Sequence, residues 1–211
     1  AESFISSSIA NSWKPGKGKR AVEPPGSAEE RRVKADLREA LAFFESNPST
    51  SALIPEVGTN IVHSLKNAKK TTDIAGVVGR VRRCGTMPCS LGLVEFGSSS
   101  HVARMLLEFS KKFRATRTAI NIANTTAIRN ACNHLNFKLA FADRSKEPKQ
   151  IEENENQSMQ WLIRNSLRGL KRAPDAVVFT GAMGKEPSLV LFGPSPRAMV
   201  EKAIKIAREL E

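Results

Sequence analysis

The chain has 211 residues, enough for one sizeable core or for one domain with an appendage, and its 40% hydrophobic and 26% charged residues are the proportions of a globular domain. No apolar run approaches the roughly 20 residues of a membrane span, and the opening AESFISSSIANSWK lacks the basic start and long apolar stretch of a secretory signal, so no membrane partner is expected. A net charge of +12 calls for an anionic partner or a structural use, and three cysteines are too few for a disulfide framework, which points to a reduced, cytoplasmic chain.

Residues 1–26 differ from the rest. Phe4, Ile5 and Ile9 predict a short helix through Trp13, and Pro15, Gly16, Gly18, Pro24, Pro25 and Gly26 then break regular structure, so this is a helix and a linker. Ser27 with Glu30 reads as a capping box, and Val33, Leu37, Leu41 and Phe44 form the stripe of the helix behind it, which ends before Pro48. Residues 54–62 read as a polar-tipped turn entering a strand. An apolar run then delivers Gly79-Arg80, a glycine/proline loop follows, and a second run, Leu91 to Phe96, delivers Gly97 and three serines. Val102, Met105, Leu106 and Phe109 predict a helix from Ser99 to Phe113.

Thr118–Ala123 alternates as a strand. Thr125 caps a helix with Ile128, Cys132 and Leu135, and Phe137–Ala142 is a strand ending in Asp143-Arg144. Lys146–Glu155 reads as a charged loop, and Met159, Leu162, Ile163, Leu167 and Leu170 mark another helix. Strands at Ala176–Phe179 and Leu189–Phe192 flank the loop Gly181–Pro187, and Ser195 caps a closing helix from Pro196 to Leu210. Alternating strands and helices define an α/β layered fold, and the two close strand pairs favour a mixed sheet.

The basic residues are dispersed. Lys17, Lys19 and Arg20 lie in the tail, Lys111, Lys112 and Arg114 end one helix, and Arg168, Lys171 and Arg172 end another, where cations complement the helix dipole. With no tyrosine and few aromatics beside these residues, stacking platforms for single-stranded nucleic acid are lacking, so nucleic acid is not an expected partner.

Val77–Arg104 is the stretch suited to chemistry. It brings Arg80 to one strand end and sets His101 at a helix start behind Ser98, Ser99 and Ser100, with Arg104 one turn on. Free helix N–H groups, hydroxyls and a guanidinium suit an anion, and an imidazole there suits binding or protonating a leaving phosphate. Gly184-Lys185 offers a second phosphate cradle, although the G-x-x-x-x-G-K-S/T spacing is absent. Cys84 and Cys89 match no zinc spacing, and His63 and His134 fall in apolar-periodic stretches as structural residues.

IPEVGTNIV, DIAGVVGRV, FGSSSHVAR, TAINIA, FADR and PDAVVFTGAMGKEP, in this order, resemble the successive motifs of the ThiN family, the archaeal type of thiamine-phosphate synthase, over residues 30–211. FISSSIANSWKPGKG is similar to the end of hydroxymethylpyrimidine-phosphate kinase. The resemblance therefore implies a kinase remnant over 1–26 and a synthase domain over 27–211, as in the bifunctional enzyme. It implies a three-layer α/β sandwich with a mixed central sheet, like class II aldolases, assembled as a homo-oligomer. It implies the joining of hydroxymethylpyrimidine diphosphate to hydroxyethylthiazole phosphate, with Mg²⁺ accompanying the diphosphate and pyrophosphate leaving. Arg80 and His101 match the family's essential pair. Ser98, Ser99, Ser100, Glu56, Arg104, Arg144, Gly184 and Lys185 are the remaining expected substrate contacts, and Asn60, Asn121, Asp143 and Glu186 the candidates for pyrimidine or Mg²⁺. The protein ligands of Mg²⁺ are not assigned. Two rivals stand beside this reading: a non-catalytic domain sensing thiamine phosphates, and a zinc-dependent sugar-phosphate aldolase, which would need a close histidine pair that His63, His101 and His134 do not form.

Overall fold

The computed structural model describes residues 26–152, 155–181 and 186–211, so the helix expected before Trp13 and its linker lie outside the described residues. Helix α1 (Ala28–Glu45) starts at the expected capping box: Glu30 N donates to Ser27 Oγ at 3.1 Å, and Ser27 N donates to Glu30 Oε2 at 2.6 Å. The strands are β1 (Ile61–Ser64), β2 (Ile74–Val77), β3 (Arg82–Cys84), β4 (Met87–Cys89), β5 (Val94–Phe96), β6 (Thr118–Ala123), β7 (Leu139–Ala142), β8 (Ala176–Phe179) and β9 (Ser188–Gly193). The other helices are α2 (His101–Lys112), α3 (Thr126–His134), the single turn α4 (Lys149–Glu152), α5 (Glu155–Ser166) and α6 (Pro196–Arg208). Thr125 and Ser195 cap α3 and α6 as their sequences predict.

Seven strands form one sheet in the order β5-β2-β1-β6-β9-β8-β7. Among the described strands β7 and β8 alone pair in parallel and the rest are antiparallel, so the sheet is mixed. Period-two alternation gives it two apolar faces. Ile61, Ala75, Ile120, Val178 and Leu191 face one core with α1, α3 and α6. Val62, Ile74, Ala119, Val177 and Val190 face the other, under α2 and α5. This is the expected three-layer sandwich. In the second core Phe109 of α2 stacks on Phe192 with ring centroids 4.0 Å apart, a contact worth about 1 kcal/mol beyond burial. Glu108, buried between α2 and α5, ion-pairs with Lys111 at 2.6 Å and Arg164 at 3.1 Å, so part of the positive excess ties helix ends together.

Three local expectations change. The loop after Arg80 is a hairpin: β3 pairs with β4 around Gly85, whose φ of +64° suits the tight turn. The apolar run Leu91–Phe96 is a strand only from Val94, because β5 is a sheet edge paired with three residues of β2; Leu91 and Leu93 stay exposed. The charged stretch after Asp143 is a 3-10 turn over Arg144–Lys146 and then α4, not a plain loop, since Asp143 accepts from Ser145 N and starts the turn. The expectation of three free thiols also fails. Cys84 and Cys89 sit on adjoining strands with Cα atoms 5.9 Å apart and form a disulfide, while Cys132 is free and buried, its thiol pushed up to about 11 by burial.

Candidate functional site

On the sheet face under α2 and α5, the alternation that elsewhere supplies valines supplies Asn60, Gly76, Asn121 and Ser188 at one end. There the apolar layer gives way to a cavity of about 350 Å³. Asn60 takes the place of a ladder residue: its Nδ2 donates to Val77 O at 3.0 Å, and its Oδ1 accepts from Val77 N at 3.1 Å. Asn121 braces it, accepting from Asn60 N at 2.7 Å and donating to Gly58 O at 3.0 Å. Both are buried, so these amides hold strands β1, β2 and β6 in place where the regular pairing ends.

Gly76 lets this corner close. A Cβ there would meet Ser98 Oγ at 3.0 Å and Asn60 Oδ1 at 3.1 Å. The Ser98 hydroxyl is buried on the cavity wall and has no hydrogen-bond partner among the described residues. A buried, unpaired donor costs about 1–3 kcal/mol, which a ligand oxygen would recover. Ser99, Ser100 and His101 follow along the wall as α2 begins, and the Ser100 side chain makes no capping hydrogen bond, so no hydroxyl of its own covers the first helical N–H groups.

Arg80 joins this corner from the loop after β2, the strand next to β5. Its φ is +65°, directly after Gly79 at +74°, a left-handed pair unusual for a non-glycine residue. Val81 fixes the loop by a two-way backbone bridge to Thr59, at 2.7 and 2.9 Å. Arg80 Nη1 donates to Val57 O at 2.6 Å. Glu186 lines the cavity and accepts from the N–H groups of Glu56 at 3.1 Å and Val57 at 3.4 Å, while Arg82 donates to Glu56 O. The turn from Pro55 to Gly58 is therefore gripped on its carbonyls by two arginines and on its amides by one carboxylate.

Arg144 supplies the far wall, with Ser158 and Met159 from α5. Its side chain is 10% exposed, and its Nη1 lies 3.6 Å from the buried Glu147 carboxylate and donates to Ser158 Oγ at 3.4 Å.

Nine of the expected contacts thus line one cavity: Asn60, Arg80, Ser98, Ser99, Ser100, His101, Asn121, Arg144 and Glu186. The side chains of Glu56, Arg104 and Asp143 are not on its wall. Glu56 contributes backbone groups, and Asp143 is occupied by its own turn, accepting from Ser145 N and Oγ and pairing with Lys146 at 3.3 Å. The Ser145 hydrogen bonds, foremost, hold the Asp143 carboxyl below the usual range. Gly184 and Lys185 lie outside the described residues. Sequence reading missed Val57, Met105, Ser158, Met159 and Ser188 on the wall, and Glu147 behind it. Met105 and Met159 carry the same signal as core residues, being the cavity ends of buried helical stripes; Ser158 and Ser188 carry none. Among the described residues no cluster of three or more His, Cys, Asp or Glu could hold a metal ion, and no helix is long and apolar enough to cross a membrane.

The layer order and mixed sheet are those of class II aldolase-like domains. The sugar-phosphate aldolase from Thermotoga maritima shares the fold at a TM-score of 0.50 and 10% identity, over 85% of this chain and 94% of that one. The likeness reaches the fold alone. A crystal structure described as the C-terminal domain of phosphomethylpyrimidine kinase is closer, at a TM-score of 0.78 and 38% identity, over 85% of this chain and 100% of that one. The family described as thiamine-phosphate synthase ThiN matches residues 36–205, and the chain belongs to that family. The thiamine-phosphate synthase ThiN of Methanothermobacter thermautotrophicus is 33% identical over 174 residues, 82% of this chain and 92% of that protein. The bifunctional thiamine biosynthesis protein ThiDN of Methanocaldococcus jannaschii is 30% identical over 152 residues, 71% of this chain and 35% of that protein.

Proposed function

We propose that the chain is a thiamine-phosphate synthase, condensing hydroxymethylpyrimidine diphosphate with hydroxyethylthiazole phosphate and releasing pyrophosphate. The observation that carries this reading is the convergence of Arg80, the Ser98 hydroxyl and the start of α2 at His101 on one cavity, in a chain whose relatives are named as synthases of this kind. The reaction breaks the bond between the pyrimidine methylene and the diphosphate oxygen, pushed by the aminopyrimidine ring. It forms a bond from the thiazole nitrogen to that methylene. No protein nucleophile is needed.

The protein's work is to hold two substrates in line and to stabilise the charge that gathers on the departing pyrophosphate. Arg80 is suited to gripping the diphosphate, because its backbone and its bond to Val57 O fix where the guanidinium can point. His101, the Ser98 hydroxyl and the first N–H groups of α2 are suited to binding the leaving group, with His101 the candidate to protonate it. Asn60 and Asn121 keep their polar atoms largely in backbone bonds, which supports a supporting role for both and makes direct pyrimidine contacts secondary.

Mg²⁺ belongs to the proposal as a companion of the diphosphate, most of its shell coming from phosphate oxygens and water, where it neutralises phosphate charge. Glu186 is the carboxylate among the described lining residues that fits as a protein ligand. The homo-oligomer, the cytoplasmic location and an attachment of residues 1–26 to a kinase domain are likewise proposed; similarity to a bifunctional protein supports the last. The non-catalytic sensing domain is not favoured, since these relatives are named for synthesis.

The test is product formation. Purified chain with both phosphorylated substrates and Mg²⁺ should give thiamine phosphate and pyrophosphate in equal amounts, and folded chain that gives neither refutes the reading. Arg80→Ala and His101→Ala should each slow turnover by about 100-fold or more; unchanged rates in both would remove them from the site.

A further inference from the structure

We infer that Arg144, held in place by the buried Glu147, anchors the phosphate that takes no part in the reaction, that of the monophosphate substrate, and so sets the preference for the phosphate ester over the free alcohol. The inference rests on the proposed reaction, which brings two separate anionic groups into one cavity.

The placement of the two arginines separates those groups. Arg80 follows β2 and Arg144 follows β7, five strand spacings apart in the sheet order, about 24 Å at about 4.8 Å per spacing. Their side chains reach the one cavity from opposite flanks, so each is placed to meet a different anionic group. On the Arg80 flank stand the Ser98 hydroxyl, without a partner among the described residues, Ser99, Ser100, His101 and the start of α2. A leaving group on which charge accumulates needs that density of donors. A bystander phosphate needs only orientation, which a single fixed guanidinium provides.

Arg144 is built for fixity. Its side chain is 10% exposed and that of Glu147 is 1% exposed, with 3.6 Å between them. Ser158 Oγ accepts from it at 3.4 Å, and Met159 Sδ lies 3.9 Å from Nη2. Its backbone N–H donates to Thr180 Oγ1 at 3.1 Å, tying the turn to the end of β8. A buried carboxylate beside a cavity-lining guanidinium restricts its rotamers, and so acts on the substrate through the arginine; Glu147 is a positioning residue.

The experiment compares hydroxyethylthiazole phosphate with the unphosphorylated alcohol as acceptor, at saturating hydroxymethylpyrimidine diphosphate, in wild type, Arg144→Met and Glu147→Gln. Wild-type turnover with both phosphorylated substrates tests the proposed reaction by itself. In Arg144→Met the phosphate-over-alcohol ratio of kcat/KM should fall about 10- to 100-fold, the loss lying in KM for the phosphate ester. KM for the diphosphate, measured in a second series at saturating hydroxyethylthiazole phosphate, should stay within about twofold. In Glu147→Gln the ratio should fall in the same direction but less, with Glu147→Asp restoring part of it. An unchanged ratio in Arg144→Met, equal losses with phosphate and alcohol, or a loss confined to the diphosphate KM overturns the assignment. Should Arg144→Met fail to fold, Arg144→Lys is read in the same way, since it keeps the charge but not the fork. A ratio unaltered in both Glu147 variants removes Glu147 from the positioning role.

Discussion

Gly76→Ala probes the packing that shapes the cavity. The added methyl carbon would lie 3.0 Å from Ser98 Oγ, 3.1 Å from Asn60 Oδ1 and 3.1 Å from Val62 Cγ1, all a few tenths of an ångström inside ordinary contact. The three neighbours do not yield equally. Val62 is fully buried in the sheet, and Asn60 is pinned on both amide atoms by Val77. Ser98 Oγ has no partner among the described residues, so the strain is relieved by Ser98 turning away. Moderate overpacking of this kind costs about 1–2 kcal/mol, which for a chain of this size lowers Tm by roughly 2–8 °C. Loss of one donor at the diphosphate end should lower kcat/KM by about 10-fold or more. Thermal unfolding and steady-state kinetics measure the two effects, and a double-mutant cycle with Ser98→Ala identifies their cause: without the hydroxyl, the methyl group should cost measurably less. Strict additivity in the cycle, or a Gly76→Ala enzyme with native Tm and rate, would refute the close approach of Ser98 to the sheet.

Arg80 should separate stability from activity. Its left-handed backbone makes Arg80→Gly more stable than Arg80→Ala by about 1 kcal/mol, read from urea midpoints, while both variants lose activity; the reverse order would mean that the left-handed turn is not adopted. His63, in the buried face of β1, is held neutral mainly by burial and secondarily by the neighbouring Arg117 charge, which lower its pKa from 6.5 to about 4. The unfolded chain therefore binds the proton more readily, so the His63 contribution is intact above pH 6.5 and is lost as pH falls towards 4. At about 1.4 kcal/mol per pH unit the interval is worth roughly 3 kcal/mol. Urea unfolding at pH 7, 5.5 and 4.5 should show a shallower acid slope for His63→Gln than for wild type, and parallel slopes would discard the assignment.

Most of the scaffold was legible because it rests on local rules. The capping box at Ser27, the stripe of α1, the caps at Thr125 and Ser195, the alternation of β6 and the apolar run of β8 need only near neighbours in the chain. The elements that were misread lie where pairing is partial or non-local. Leu91 and Leu93 have the composition of a strand, but β5 is an edge whose paired register with β2 begins at Val94. Cys84 and Cys89 gave no sign of pairing until the hairpin set their strands side by side.

The sequence by itself determined the donors: an arginine after a glycine at a strand end, three serines and a histidine at a helix start, in segments that carry the family's motifs. Their chemistry, cationic and hydrogen-bonding, is a property of the side chains and their immediate neighbours. Only the tertiary structure decided which of them share a cavity. It gathered Arg80 and His101, which follow the neighbouring strands β2 and β5, with Arg144 from the far end of the sheet order, spent the Asp143 carboxylate on its own turn, and set Glu147 behind Arg144 from a stretch that reads as plain charged loop. The reason is geometric. Sheet order and the twofold alternation of the strands fix which residues face α2 and α5, and neither the crossovers nor the register between distant strands is encoded within any one segment.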